Sequence, residues 1–116
     1  MVLIVGGMAQ GKLEFARQEL GVAAWSEGVL GPEDCVHGLH RVIRSLPDPR
    51  TAIDTWLAEH PEGVLICDEV GCGVVPIDPL DRRWRERVGR TCCALAERAD
   101  RVVRLCCGIP TIIKGA

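Results

Sequence analysis

Met1-Val-Leu-Ile-Val-Gly-Gly-Met-Ala-Gln-Gly-Lys12 decides the fold. The run Val2 to Val5 holds no polar residue and reads as a strand buried on both faces, as parallel strands are. It breaks at Gly6-Gly7, and Gly11-Lys12 follows, which satisfies G-x-x-x-x-G-K. From Gly11 to Leu20 the residues Leu13, Ala16 and Leu20 fall on one helical stripe that stops at Gly21. Strand, glycine loop and helix in that order are the setting of a phosphate-binding loop. The backbone of Gly6, Gly7, Met8, Ala9, Gln10 and Gly11 would turn its N–H groups on an anion, and the helix would add its positive end. Lys12 would reach the terminal phosphates. Leu13 stands where such loops normally carry a Ser or Thr whose hydroxyl holds Mg²⁺.

Working outward, Gly63-Val-Leu-Ile-Cys67 is a second buried strand, and it ends in Asp68-Glu69. A carboxylate at such a strand end can hold Mg²⁺, the role expected of Asp68. The adjacent Glu69 can orient or deprotonate an attacking group. Two motifs in order, each at a strand end, point to nucleotide binding more firmly than either does alone. The expected fold is therefore α/β, a mainly parallel sheet flanked by helices, with ligand at the carboxyl ends of the strands. Residues 1–116 read as a single nucleotide-binding domain.

Between the two motifs the pattern is helical. Val22 to Trp25 suggests a short strand, and Gly28 to Pro32 is punctuation. Val36, Leu39, Ile43 and Leu46 then predict a helix over Glu33 to Leu46, with His40 and Arg44 four apart on its flank. That pair would suit a phosphate, the imidazole as nucleophile or acid–base group and the guanidinium as clamp. Cys35, His37 and His40 form a C-x-H-x-x-H trio without a clear fourth metal ligand. Leu46-Pro-Asp-Pro-Arg50 ends the helix, and Thr51 to Glu59 forms another with Ile53, Trp56 and Leu57 inward.

Beyond Glu69, Val70 to Pro76 is a glycine-punctuated loop, and Asp78-Pro79 starts a helix. That helix carries Leu80, Trp84, Val88, Cys92, Leu95 and Ala99 on its inner face. Arg101 to Cys106 predicts a third strand and Thr111 to Ile113 a short fourth. The pairs Cys92-Cys93 and Cys106-Cys107 lack C-x-x-C spacing and read as buried small hydrophobes.

Composition narrows the function. A net charge of −2 gives no basic excess for nucleic acid or anionic membrane, and 3% aromatic content leaves no platform for base stacking. No apolar run reaches membrane-spanning length, and the N-terminus has no signal-peptide pattern, so a cytoplasmic protein is expected. Seven cysteines, an odd number, do not suggest a disulfide framework.

Glu69-Val-Gly-Cys-Gly-Val-Val-Pro76, the Arg82-Arg83-Trp84-Arg85 and Gly89-Arg90 helix, and Cys107-Gly-Ile-Pro-Thr-Ile-Ile-Lys114 together resemble the bifunctional adenosylcobinamide kinase / adenosylcobinamide-phosphate guanylyltransferase family. The opening Gly6-Gly7 is similar too. The resemblance implies a phosphate-loop fold, often trimeric, that uses GTP or ATP with Mg²⁺ on a corrinoid acceptor. One reaction phosphorylates the aminopropanol hydroxyl of adenosylcobinamide. The other moves GMP from GTP onto that phosphate through a guanylylated histidine, which by position would be His40, with Arg44 following. It also implies that Gly71 and Gly73 lie against the nucleotide. The family's extra strand with its own acidic motif has no counterpart between Leu46 and Gly63. Two readings follow: a transferase of cobalamin assembly, or a nucleotide-binding accessory protein of the same pathway that has lost catalysis, as Leu13 and the shortened middle would allow.

Overall fold

Five parallel strands and one antiparallel edge strand make a single sheet, ordered β2-β3-β4-β1-β5-β6. The computed structural model describes residues 1–70 and 78–115. The strands are β1 (Val2–Gly6), β2 (Ser26–Glu27), β3 (Cys35–His37), β4 (Val64–Asp68), β5 (Arg101–Cys106) and β6 (Ile109–Lys114). The helices are α1 (Lys12–Glu19), α2 (Leu39–Ser45), α3 (Pro49–Glu59) and α4 (Pro79–Arg98).

The apolar runs at Val2 to Val5 and Val64 to Cys67 become neighbouring strands because each must bury both faces, and only a central position does that. β1 lies between β4 and β5, with Gly6 paired to Asp68. Alternation then assigns the faces. Leu3, Val36, Leu65, Cys67 and Val102 pack under α2, α3 and α4, whereas Ile4, Cys35, Ile66 and Val103 pack under α1. Three helices thus cover one face and α1 covers the other. At the Gly6 position a Cβ would come within 2.5 Å of the Leu105 carbonyl oxygen, so only glycine lets β1 turn into the loop beside β5. The α3 start follows the sequence closely: Asp48 caps it, its carboxylate accepting from the Thr51 N–H and hydroxyl, and Pro49 fills the first turn.

The middle of the chain departs from expectation. In place of one helix over Glu33 to Leu46 there is strand β3, a left-handed Gly38 at φ 78°, and the short helix α2. Cys35 and Val36 are both fully buried between β2 and β4, so they satisfy a strand's two-sided burial as well as a helix stripe. The strand expected at Val22 to Trp25 lies instead at Ser26–Glu27. Between Leu46 and Gly63 there is α3 and no strand. The fourth strand expected at Thr111 to Ile113 runs longer, Ile109–Lys114, as an antiparallel edge. In α4, Leu80 is exposed while Val88, Thr91 and Leu95 are buried. Cys35 and Cys67 are buried, but Cys93, Cys106 and Cys107 are exposed, because Cys106 falls on the open side of β5 and Cys107 on the turn after it. Among the described residues, no helix is long and apolar enough to cross a membrane.

Candidate functional site

Parallel strands bring their carboxyl ends to one edge, and this edge collects Gly6, Glu27, His37 and Asp68. The loop between β1 and α1 folds over it and encloses a cavity of about 230 Å³, lined by Met8 to Glu14, His37 and Asp68. Lys12 is 4% exposed, and its ammonium donates to the Gly7 carbonyl at 2.5 Å and pairs with Asp68 Oδ1 at 2.8 Å. A buried ammonium needs such partners, since desolvating an unpaired charge costs far more than the lost contacts. Gln10 ties the loop to the β5–β6 turn: its side-chain carbonyl accepts from the Cys107 N–H, and its backbone carbonyl accepts from the Gly108 N–H at 3.0 Å. Gly11, at φ 89°, caps α1 without a side-chain bond.

Leu13 lines the loop cavity and packs against the apolar cluster under α1. It offers no oxygen to a cation, and no group of three His, Cys, Asp or Glu residues among the described ones is arranged for a metal. The Cys35, His37 and His40 trio therefore makes no metal site: β3 buries Cys35 in the sheet and pairs His37 with Glu27, whereas His40, on α2, pairs with Asp68. Asp68 is the one carboxylate among the described residues in contact with the lysine. That suits an ion such as Mg²⁺, which usually takes one or two carboxylates and fills its shell with phosphate and water.

Asp68 meets a second partner on α2. The Asp68 N–H donates to His40 Nδ1 at 3.2 Å, and His40 Nε2 lies 3.5 Å from Asp68 Oδ2. A ring nitrogen that accepts an N–H carries no proton, so the neutral tautomer here is protonated on Nε2, toward the carboxylate. Burial holds the His40 pKa below its usual value; the Asp68 charge works against that, and Arg41, Lys12 and His37 add to it. The Trp84 indole N–H donates to the His40 carbonyl at 2.9 Å and fixes the start of α2 against α4.

Glu69 and Arg44 are held away from the cavity. Glu69 is clamped by Arg104 of β5, Nε to Oε1 at 2.7 Å and a terminal nitrogen to Oε2 at 3.0 Å. Arg44 donates to Asp81 at 3.0 Å and lies 4.7 Å from the centre of the Trp84 ring, so its guanidinium belongs to the α2–α4 contact. Gly71 and Gly73 lie outside the described residues.

His37 is the residue that helical reasoning put out of reach. On β3 it follows Cys35 by two, so it shares the α1 face, and it lines the loop cavity beside Asp68. Its Nδ1 sits 2.9 Å from both carboxylate oxygens of Glu27, its register partner on β2. Glu27 also accepts from Trp25 Nε1 and from Arg41, each at 2.8 Å. Its burial opposes ionisation, yet the bonds from His37, Arg41 and Trp25 carry its pKa below the ordinary carboxylate value. The sequence signal was Gly38, a glycine inside an otherwise helical pattern. Arg104 was visible as the lone charge inside the apolar strand Val102 to Leu105.

Comparison with known proteins gives the chain relatives. The chain is 38% identical over 71 residues to the bifunctional adenosylcobalamin biosynthesis protein CobP of Pseudomonas aeruginosa, an overlap that covers 60% of this chain and 41% of that protein. The chain thus spans about two-fifths of the length of that curated relative. Residues 44–113, more than half of the 116, match the family described as cobinamide kinase / cobinamide phosphate guanyltransferase. Asp68, Glu69 and Arg104 fall inside the match; the loop and both site histidines precede it. With that share of its length matched, the chain belongs to the cobinamide kinase / cobinamide phosphate guanyltransferase family.

Proposed function

We propose that the chain binds GTP or ATP in the Gly6 to Lys12 loop. It would then transfer a phosphoryl or guanylyl group onto adenosylcobinamide or its phosphate, in cytoplasmic cobalamin assembly. The observation that carries the reading is the Lys12–Asp68 pair, 2.8 Å apart, where the phosphate loop meets the end of β4. Incoming phosphate oxygens replace Gly7 as the lysine's acceptor, and the loop N–H groups and α1 bind the remaining charge. Mg²⁺, when bound, neutralises developing charge on the phosphates, and Asp68 is the residue that would hold it. His40 orients Asp68 through the backbone bond at 3.2 Å. For His40 to take GMP on Nε2, the ring must release the Asp68 N–H at Nδ1 and carry its proton there, which frees the Nε2 lone pair. Glu69 acts through Arg104, which holds β4 and β5 together beside the loop.

Incubation of the chain with GTP or ATP and each corrinoid in turn should convert one of them. Unmodified adenosylcobinamide and unmodified phosphate with both nucleotides would sink the transferase reading. Radiolabelled GTP gives the finer answer: an acid-labile protein label that disappears in His40→Ala assigns the GMP to that imidazole.

A further inference from the structure

We propose that His37, oriented by Glu27, is the proton acceptor for the group that attacks a phosphate held in the loop cavity. The inference rests on the phosphoryl-transfer half of the function proposed above. A carboxylate 2.9 Å from Nδ1 can only accept, so Nδ1 carries the ring proton and the neutral imidazole keeps its lone pair on Nε2. No described residue contacts that Nε2 within hydrogen-bond distance, and the ring lines the same cavity as Lys12 and Asp68. Glu27 is itself fixed by Trp25 and Arg41, which keeps the ring from turning. His40 lacks these properties, because its Nδ1 lone pair is occupied by the Asp68 N–H.

The step balances with a nucleoside triphosphate and a hydroxyl-bearing acceptor, either the corrinoid arm or water. The hydroxyl oxygen forms a bond to the terminal phosphorus, and the bond from that phosphorus to the bridging oxygen breaks. The nucleoside diphosphate leaves with the electron pair. The hydroxyl proton passes to His37 Nε2, and the resulting imidazolium is balanced by the Glu27 carboxylate.

The test follows both GTP hydrolysis by water and transfer to adenosylcobinamide, using the full chain with Mg²⁺. General-base removal should lower kcat of His37→Gln by about 100-fold or more while the KM for nucleotide stays within about threefold. Glu27→Gln should cost about tenfold in kcat, since the ring is then held without a counter-charge. Added imidazole should restore part of the rate of His37→Ala and none of the rate of His40→Ala. A His37→Gln chain that keeps kcat within about threefold overturns the proposal, as does a change in KM alone. Loss of corrinoid transfer with His37-dependent hydrolysis intact would reject the acceptor named above and uphold the role of His37. A chain with neither activity rejects both.

Discussion

His37 and His40 stand three residues apart, and each meets a carboxylate, yet they reach the loop edge from different elements, β3 and α2. The Glu27–His37 pair is on the α1 face at the outer strands β2 and β3, half open to solvent, with side-chain exposures of 50% and 29%. In the Asp68–His40 pair, at exposures of 22% and 14%, the histidine comes from α2 and the carboxylate is shared with a buried lysine. The same two residue types therefore do different work. Around His37 the carboxylate accepts from Nδ1–H and leaves Nε2 open. Around His40 the backbone takes the lone pair and spends the ring on holding a strand end. Burial decides which pair the fold depends on, and an open ring nitrogen decides which histidine can take a proton from a ligand.

Substituting the two carboxylates separates those contributions. Asp68→Asn leaves the Lys12 ammonium buried without its counter-ion and should destabilise folding by about 3 kcal/mol. Glu27→Gln removes a charge from a half-exposed network that salt and water already screen, and should cost about 1 kcal/mol or less. Urea unfolding at neutral pH measures both. Equal costs would mean that Lys12 is relieved by water on loss of Asp68, and that the inner pair is no more structural than the outer one.

Acid sharpens the contrast for His40. Its folded pKa lies below the usual value, chiefly through burial, so the unfolded chain binds more protons once pH nears the ordinary histidine range. Stability is then complete above about pH 6.5 and is lost as pH falls from there toward the folded pKa. The urea midpoint should drop as pH falls below about 6.5, and His40→Gln should flatten that drop. A slope unchanged in His40→Gln would assign the titration to another group.

The contrast also marks what the sequence could disclose. β1, β4 and the loop were legible because continuous apolar runs ending in Gly-Gly or Asp-Glu admit one arrangement, buried strands with their polar ends at one edge. α3 and α4 were legible from Asp48-Pro49 and Asp78-Pro79. The stretch Cys35 to His40 was not, because Val36, Leu39 and Ile43 fit a helix as well as they fit a strand followed by a helix. Which description holds depends on β4 lying alongside, a contact between residues 35 and 64. The error moved His37 to the wrong face, whereas His40 and Arg44 do lie four apart on a helix, the short α2. Arg104 escaped for a similar reason: its partner Glu69 is distant in sequence and adjacent only across the sheet.

Arg44 carries the smallest expected effect, and it tests whether the α2 face takes any part in nucleotide binding. Its guanidinium is bonded to Asp81 and lies against Trp84, and its side chain is 58% exposed. An exposed ion pair with a cation–π contact contributes about 0.5–1 kcal/mol, so Arg44→Ala should lower unfolding free energy by that much. Nucleotide affinity should stay within about twofold, because the stacking and the Asp81 bond keep the group on α4, away from the residues that line the loop cavity. The clamp role would instead require the arginine to leave both partners for a phosphate. Removing it would then cost affinity on the order of 2 kcal/mol or more, as loss of a charge-assisted bidentate contact does. Calorimetry with GTP on Arg44→Ala distinguishes these magnitudes. A thirtyfold loss of affinity would place the α2 face at the nucleotide, and an unchanged value would leave binding to the α1 face where Lys12 and His37 meet.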